Sequence, residues 1–267
     1  MFASAVRRSA VDAGGKVTWK YSQAGWETVR LIIWNPHTRW GICAAMAAQW
    51  IVDHAYGGSL ANRLINDDGK VSRDAIRRLM RHHSLASSGG DVSQRTAIEQ
   101  FLSNRKIVIR RKSYDSRYGA RHRKEGWTKP ANSERRQAKE TGTAMPDIAY
   151  QIAAALGKVR ASYVLIKFGG RKWSHVIAGW LGRDDGCLFD PNSGEYWFQR
   201  KEKLCEWFPT YYRVAGYLSF PTKHDRWWSI AEFGLSANAS DAYREHVLSF
   251  AGPRPHRAEQ LAVHSDI

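Results

Sequence analysis

The 267-residue chain has only three cysteines, Cys43, Cys187 and Cys205, widely separated in sequence. An odd, scattered set gives no disulfide framework, and no CxxC-type spacing offers a structural zinc site. No cofactor and no metal are expected, and a reducing workplace suits the thiols. Long apolar runs are missing, so no segment is expected to span a bilayer. Arg7 and Arg8 have no apolar stretch behind them, which argues against a cleavable Sec signal. Acidic residues are scarce: 25 Asp and Glu stand against 41 Lys and Arg, for a net charge of +16. Such a balance favours polyanions as partners and says nothing about the fold. No internal repeat is present.

Apolar material is plentiful. Hydrophobic residues make up 43% of the chain, with 12 Trp, 11 Tyr and 9 Phe, which excludes global disorder. Residues 1–15 are small, polar and aperiodic, and are expected to form a flexible N-terminal segment. A single domain is expected over residues 16–235, followed by a tail at 236–267. Within the domain, residues 16–21 alternate as a short strand, and 26–34 end on the β-rich run Leu31-Ile32-Ile33-Trp34. Helices are expected over 43–56, 60–65, 73–83, 92–104 and 147–156. Strand-like runs follow at 161–168, 173–181, 186–190 and 195–199, joined by turns short enough for antiparallel hairpins. A helix at 200–208 closed by Pro209 and a last strand at 214–220 complete the reading. Helices first and an antiparallel sheet second make an α+β order.

Cys43 opens an Ala-rich stretch with strong helix propensity. A thiol in the first turn of a helix meets partial positive charge and unpaired N–H groups, which favour the thiolate. The same N–H groups can hold an oxyanion. Far downstream, His175 stands near the start of one strand and Asp190 at the end of the next. Strand alternation places Trp173, His175 and Ile177 on one face, and Leu188 and Asp190 on one face with Cys187 opposite. Antiparallel pairing then sets Asp190 beside His175, which gives a nucleophile, a base and an orienting carboxylate in that order. Trp40 and Trp173 are candidate walls of the cleft.

Three stretches carry a family resemblance. They are Gly41 to Cys43 with the following helix through Gln49-Trp50-Ile51, the strand Ser174-His175-Val176-Ile177-Ala178, and Phe189-Asp190-Pro191-Asn192-Ser193-Gly194-Glu195. In this order they resemble the YopT-type cysteine proteases, a papain-like clan of bacterial effectors, over roughly residues 26–220. The resemblance implies a papain-like fold with the Cys on the helical half and His and Asp on the sheet. It also implies a Cys43-His175-Asp190 endopeptidase that works through an acyl-thioester on host proteins. Secretion by a bacterium into a host cell and action as a monomer are the corresponding expectations. Papain-like proteases add a side-chain amide before the nucleophile as a second oxyanion donor. Because no Gln lies between Gln23 and Cys43, Asn35 is the candidate here, ahead of His37 and Thr38.

One segment stands apart in composition. Residues 105–140 hold thirteen Lys and Arg against four Asp and Glu, more than half of the net charge. Tyr114, Tyr118 and Trp127 interleave with them. The segment is expected to be a basic insertion on the enzyme domain, able to meet an anionic membrane surface or another polyanion. No specific nucleic-acid motif accompanies it. Two other functions fit the same residues: a transglutaminase-like acyltransferase on the same triad, and a non-enzymatic polyanion-binding protein.

Overall fold

The structure, a computed structural model, describes residues 2–38, 41–87, 90–114, 147–170, 173–219 and 226–236. Its organising element is the Ala-rich helix α3 (Cys43–Ala55), whose residues from Ala44 to Ala55 are all buried. Alanine side chains are short enough for a sheet on one side and helices on the other to approach together. The helix is therefore enclosed all round. Its few polar groups are paired inside. Asp53 accepts from Arg63 and Gln49, and His54 Nδ1 meets the Tyr163 hydroxyl at 3.0 Å.

Before it come α1 (Phe2–Asp12), β1 (Lys16–Trp19) and α2 (Trp26–Ile32); after it, α4 (Leu60–Leu64), α5 (Arg73–Ser87), α6 (Gly90–Ser103) and β2 (Ile107–Tyr114). The second half runs α7 (Ile148–Gly157), β3 (Ser162–Gly170), β4 (Trp173–Leu181), β5 (Gly186–Asp190), β6 (Gly194–Phe198), α8 (Lys201–Val214) and β7 (Trp227–Leu235). The strands form one sheet of order β1-β6-β5-β4-β3-β7-β2, antiparallel throughout. Alternation along β3 and β4 feeds two cores. Tyr163, Leu165, Val176 and Ala178 face α3, while Val164, Ile166, Phe168 and Ile177 face α1, α7 and α8.

Several segments differ from the sequence expectation. Residues 2–12 form a helix, because Val6 and Ala10, four apart, bury against the aromatic face of α8. Residues 26–32 are helical despite their β-branched end. Thr28 is buried with its hydroxyl 3.0 Å from that of Tyr21, and Ile32 joins the core. The helix at 200–208 continues through Pro209 to Val214. Burial of Trp207, Phe208, Tyr211 and Tyr212, at roughly 1.5–3 kcal/mol per large apolar side chain, outweighs the ~3 kcal/mol cost of the proline. A strand is expected at 214–220, but the described residues 214–219 end the helix and turn, and the strand that joins the sheet is β7, between β3 and β2. Residues 105–112 are also no free excursion, since β2 is an edge strand pinned by Lys112–Glu99 (2.9 Å) and by Arg110 to the Ala161 carbonyl (3.0 Å). Residues 115–146 and the tail from 237 onward lie outside the described residues. No helix among the described residues is long and apolar enough to cross a membrane.

A Cys-bearing helix lies against an antiparallel sheet that carries His and Asp, which is the papain-like layout expected from the sequence.

Candidate functional site

Cys43 is the first residue of α3 and is half-buried. His175 and the backbone N–H groups of Val176 and Ala44 act on its sulfur. Burial works against ionisation, but the bond to His175, the charge on that ring and the two N–H groups outweigh it. The thiol is held below its ordinary value of 9.0. The sequence thus brings its nucleophile candidate to the helix start and beside its base.

His175 lies where β4 runs past the end of β5, whose pairing with β4 covers only residues 178–181. The imidazole is stacked on Tyr217 (5.3 Å, 28°) and edged against Phe168 (5.7 Å, 68°). His175 Nε2 donates to Asp190 Oδ1 at 2.8 Å, which leaves Nδ1 for the Cys43 thiol. Burial would lower the pKa of this ring. The charge and hydrogen bond of Asp190, joined by Cys43, instead raise it to about 10.

Asp190 is fully buried. Beyond His175, its Oδ1 accepts from the Asn192 N–H at 2.9 Å. Its Oδ2 accepts from the hydroxyls of Ser193 (2.8 Å), Tyr211 (3.0 Å) and Tyr217 (3.1 Å). Burial alone would raise this carboxyl. The His175 charge and bond, with Asn192 and Ser193, hold it below its ordinary 3.8. Buried beside a carboxylate, the two tyrosines have pKa values well above 10 and act as neutral donors.

The amide that the fold brings to the start of α3 is that of Gln23. Its Oε1 accepts from the Ile42 N–H at 3.0 Å, and its Nε2 donates to Asn192 Oδ1 at 2.8 Å. Its backbone N–H donates to the Pro191 carbonyl at 2.6 Å. Gly41, at φ +113, brings the chain past this side chain in a conformation that L residues rarely adopt. Asn35 instead turns its side-chain oxygen to the His37 N–H at 2.9 Å. Gln23, Tyr211 and Tyr217 have no local sequence signal. They reach the site only because β1 and α8 flank the Asp190 turn.

Trp173 is half-buried, stacked on Tyr217 at 6.4 Å, whereas Trp40 lies outside the described residues. A largely apolar cavity of about 340 Å³ opens on the far side of α3, between Ala44, Ala45, Ala48, Leu79 and Phe101. It is lined by none of the three site residues. Among the described residues, no group of three or more His, Cys, Asp or Glu can hold a metal ion.

The cysteine protease YopT of Yersinia enterocolitica is 26% identical over 235 residues, covering 86% of this chain and 67% of that protein. YopT of Yersinia pestis is 28% identical over 211 residues, 76% of this chain, and the chain spans about 60% of that relative's length. Among solved structures, the Pseudomonas avirulence protein AvrPphB aligns over 73% of this chain and 92% of its own, with 14% identity and a TM-score of 0.47. A profile of the peptidase family described as Yersinia/Haemophilus virulence surface antigen matches residues 7–217. The match takes in Cys43, His175 and Asp190, and the chain belongs to this family of cysteine peptidases.

Proposed function

We propose that the chain is a cysteine endopeptidase in which Cys43 is the nucleophile, His175 the general acid and base, and Asp190 the group that orients His175. The observation that carries this reading is one imidazole bonded at 2.8 Å to the buried Asp190 carboxylate and acting with its charge on the Cys43 thiol at the start of α3. The lowered Cys43 pKa and the raised His175 pKa both favour a thiolate–imidazolium pair.

The Cys43 thiolate attacks the substrate carbonyl, and the oxyanion forms beside the Cys43 N–H at the start of α3. Gln23 is the second donor in this reading, in preference to Asn35, because its side chain links Ile42, next to Cys43, with Asn192, next to His175. Collapse of the tetrahedral species passes the His175 proton to the leaving amine and leaves an acyl-thioester on Cys43. His175, now neutral, takes a proton from water, hydroxide attacks the thioester, and the thiolate–imidazolium pair returns. Asp190 keeps the ring in register throughout and stabilises its cationic form.

A host protein is the substrate class in this reading, and the host cell interior the workplace; a family described by a virulence antigen and relatives named as cysteine proteases support both. Hydrolysis of a peptide library by the wild type, with loss of turnover in Cys43→Ala and near loss in His175→Ala, is the expected result. Adding an amine during turnover separates hydrolysis from acyl transfer. Amine incorporated in preference to water would replace this reading with the transglutaminase-like one.

A further inference from the structure

Two residues in the family-like stretches, Trp50 and Glu195, touch none of the reacting atoms, yet the fold joins them. Glu195 stands on β6 and is buried. Its Oε2 accepts from Trp50 Nε1 at 2.6 Å, and its Oε1 accepts from the Thr18 hydroxyl at 2.6 Å. Trp50 lies seven residues after Cys43 on α3, two helical turns or about 10 Å along the axis. In the β5–β6 hairpin, Glu195 is the register partner of Phe189, and the next pair is Asp190 with Gly194. The Trp50 ring also stacks on Phe189 at 6.0 Å and 8°. The nucleophile's helix is thus bonded to the acid's hairpin one residue pair from the acid itself.

The surroundings make this tie matter. Ala44, Ala45, Ala47 and Ala48 follow Cys43 directly. Alanine surfaces present shallow ridges, and apolar contact is non-directional, so they resist sliding of α3 only weakly. A hydrogen bond of 2.6 Å between buried side chains has a defined direction and length. We propose that Glu195 is a positioning residue. Through Trp50 it fixes where α3 sits along the sheet, and so sets the separation of Cys43 from His175. Thr18 on β1 holds the second oxygen and keeps the carboxylate turned toward Trp50. The inference rests on Cys43 and His175 being the reacting pair.

Three variants separate a positional role from bulk stability. Trp50→Phe keeps an aromatic ring over Phe189 and removes only the donor. Glu195→Ala removes both bonds. Glu195→Gln keeps an acceptor for Trp50 and offers its N–H to Thr18, whose hydroxyl rotates to accept. For folded protein, the pH dependence of Cys43 alkylation is measured together with kcat and KM on a peptide substrate.

Trp50→Phe and Glu195→Ala are expected to raise the apparent pKa of Cys43 toward an ordinary thiol. They should also lower kcat by roughly tenfold or more, since small misplacements of reacting groups are expensive, while KM changes little. Glu195→Gln should stay near wild type. If Glu195→Ala does not fold, the other two variants decide. A folded Trp50→Phe with wild-type Cys43 ionisation and turnover overturns the proposal, as does a Glu195→Gln as impaired as Glu195→Ala. Failure of the underlying protease reading looks different: Cys43 in the wild type would titrate as an ordinary thiol, or Cys43→Ala would keep its activity.

Discussion

Asp190 receives five hydrogen bonds, from His175, Asn192, Ser193, Tyr211 and Tyr217, and this asymmetry predicts what Asp190→Asn would do. A carboxamide oxygen can keep the His175 and Asn192 bonds, while its NH2 can donate to two of the three hydroxyls, which rotate to accept. The fold should survive, and the loss falls on charge. Activity needs Cys43 ionised and His175 protonated, so the rate should fall on the acid side below the ordinary thiol value and on the alkaline side near about 10. Without the Asp190 charge, the His175 pKa drops. The alkaline limb of kcat/KM should therefore move to lower pH and turnover should fall by roughly tenfold or more. An unmoved limb would show that Asp190 does not set the His175 charge. Stability follows the same signs. The contribution of Asp190 is present above its ordinary 3.8 and lost as pH falls through its depressed folded value. That of His175 is complete below 6.5 and lost as pH rises toward about 10. Thermal unfolding of Asp190→Asn should vary less with pH at both ends than that of the wild type. At this scale Cys43, His175 and Asp190 are legible in sequence, because strand alternation and short hairpin turns determine which faces meet. Gln23 is not legible, since its use depends on β1 and the Asp190 turn meeting in space.

Among the elements, α1 has the role least visible in the sequence. Arg7 spans two segments that frame the site, with its Nε donating to the Ser193 carbonyl at 3.0 Å and its Nη2 to the Tyr21 carbonyl at 3.2 Å. Trp207 Nε1 on α8 donates to the Ser9 hydroxyl at 3.0 Å and fastens the same helix to the second core. Removing the Arg7 side chain takes away two charge-assisted bonds, although the Ser193 carbonyl keeps its bond from the Tyr196 hydroxyl. Arg7→Ala should lower stability by about 1–2 kcal/mol, read as a shift of the denaturant midpoint at constant slope. Arg7→Lys, without the forked geometry, should recover only part of it. A midpoint equal to wild type would reduce α1 to a surface ornament. Composition hides such a helix because its core-facing residues, Val6 and Ala10, are few and small. β7 was hidden for a different reason. It enters between β3 and β2, and a strand paired with a distant segment leaves no local turn signal. The β3 to β6 meander, by contrast, is joined by short turns and is legible almost residue for residue.

Across the whole molecule, the sheet separates two cores and the site stands where they meet, at the end of the Cys43 helix. That arrangement gives the three thiols three different environments. Cys187 is buried in the α3-side core, pointing away from Asp190 as strand alternation requires. Cys205 lies on α8, where burial pushes its thiol up to about 11; Lys201 works against the shift and Glu202 and Glu206 with it. Cys43, in contrast to Cys205, is held below the ordinary thiol value, by His175 and two backbone N–H groups. Charge in bulk cannot produce this pattern. A net charge of +16 would favour every thiolate alike and is screened by salt, whereas the His175 bond is short-ranged and partly shielded from solvent. A thiol-directed electrophile at mildly acidic pH should therefore modify Cys43 and leave Cys187 and Cys205 intact, with little change between low and high salt. In His175→Ala the Cys43 rate should fall toward that of an ordinary thiol at the same pH. Peptide mapping after a timed reaction reads both outcomes. Modification centred on Cys187 or Cys205, or an undiminished Cys43 rate without His175, would mean that the activating partner has been assigned to the wrong side of the sheet.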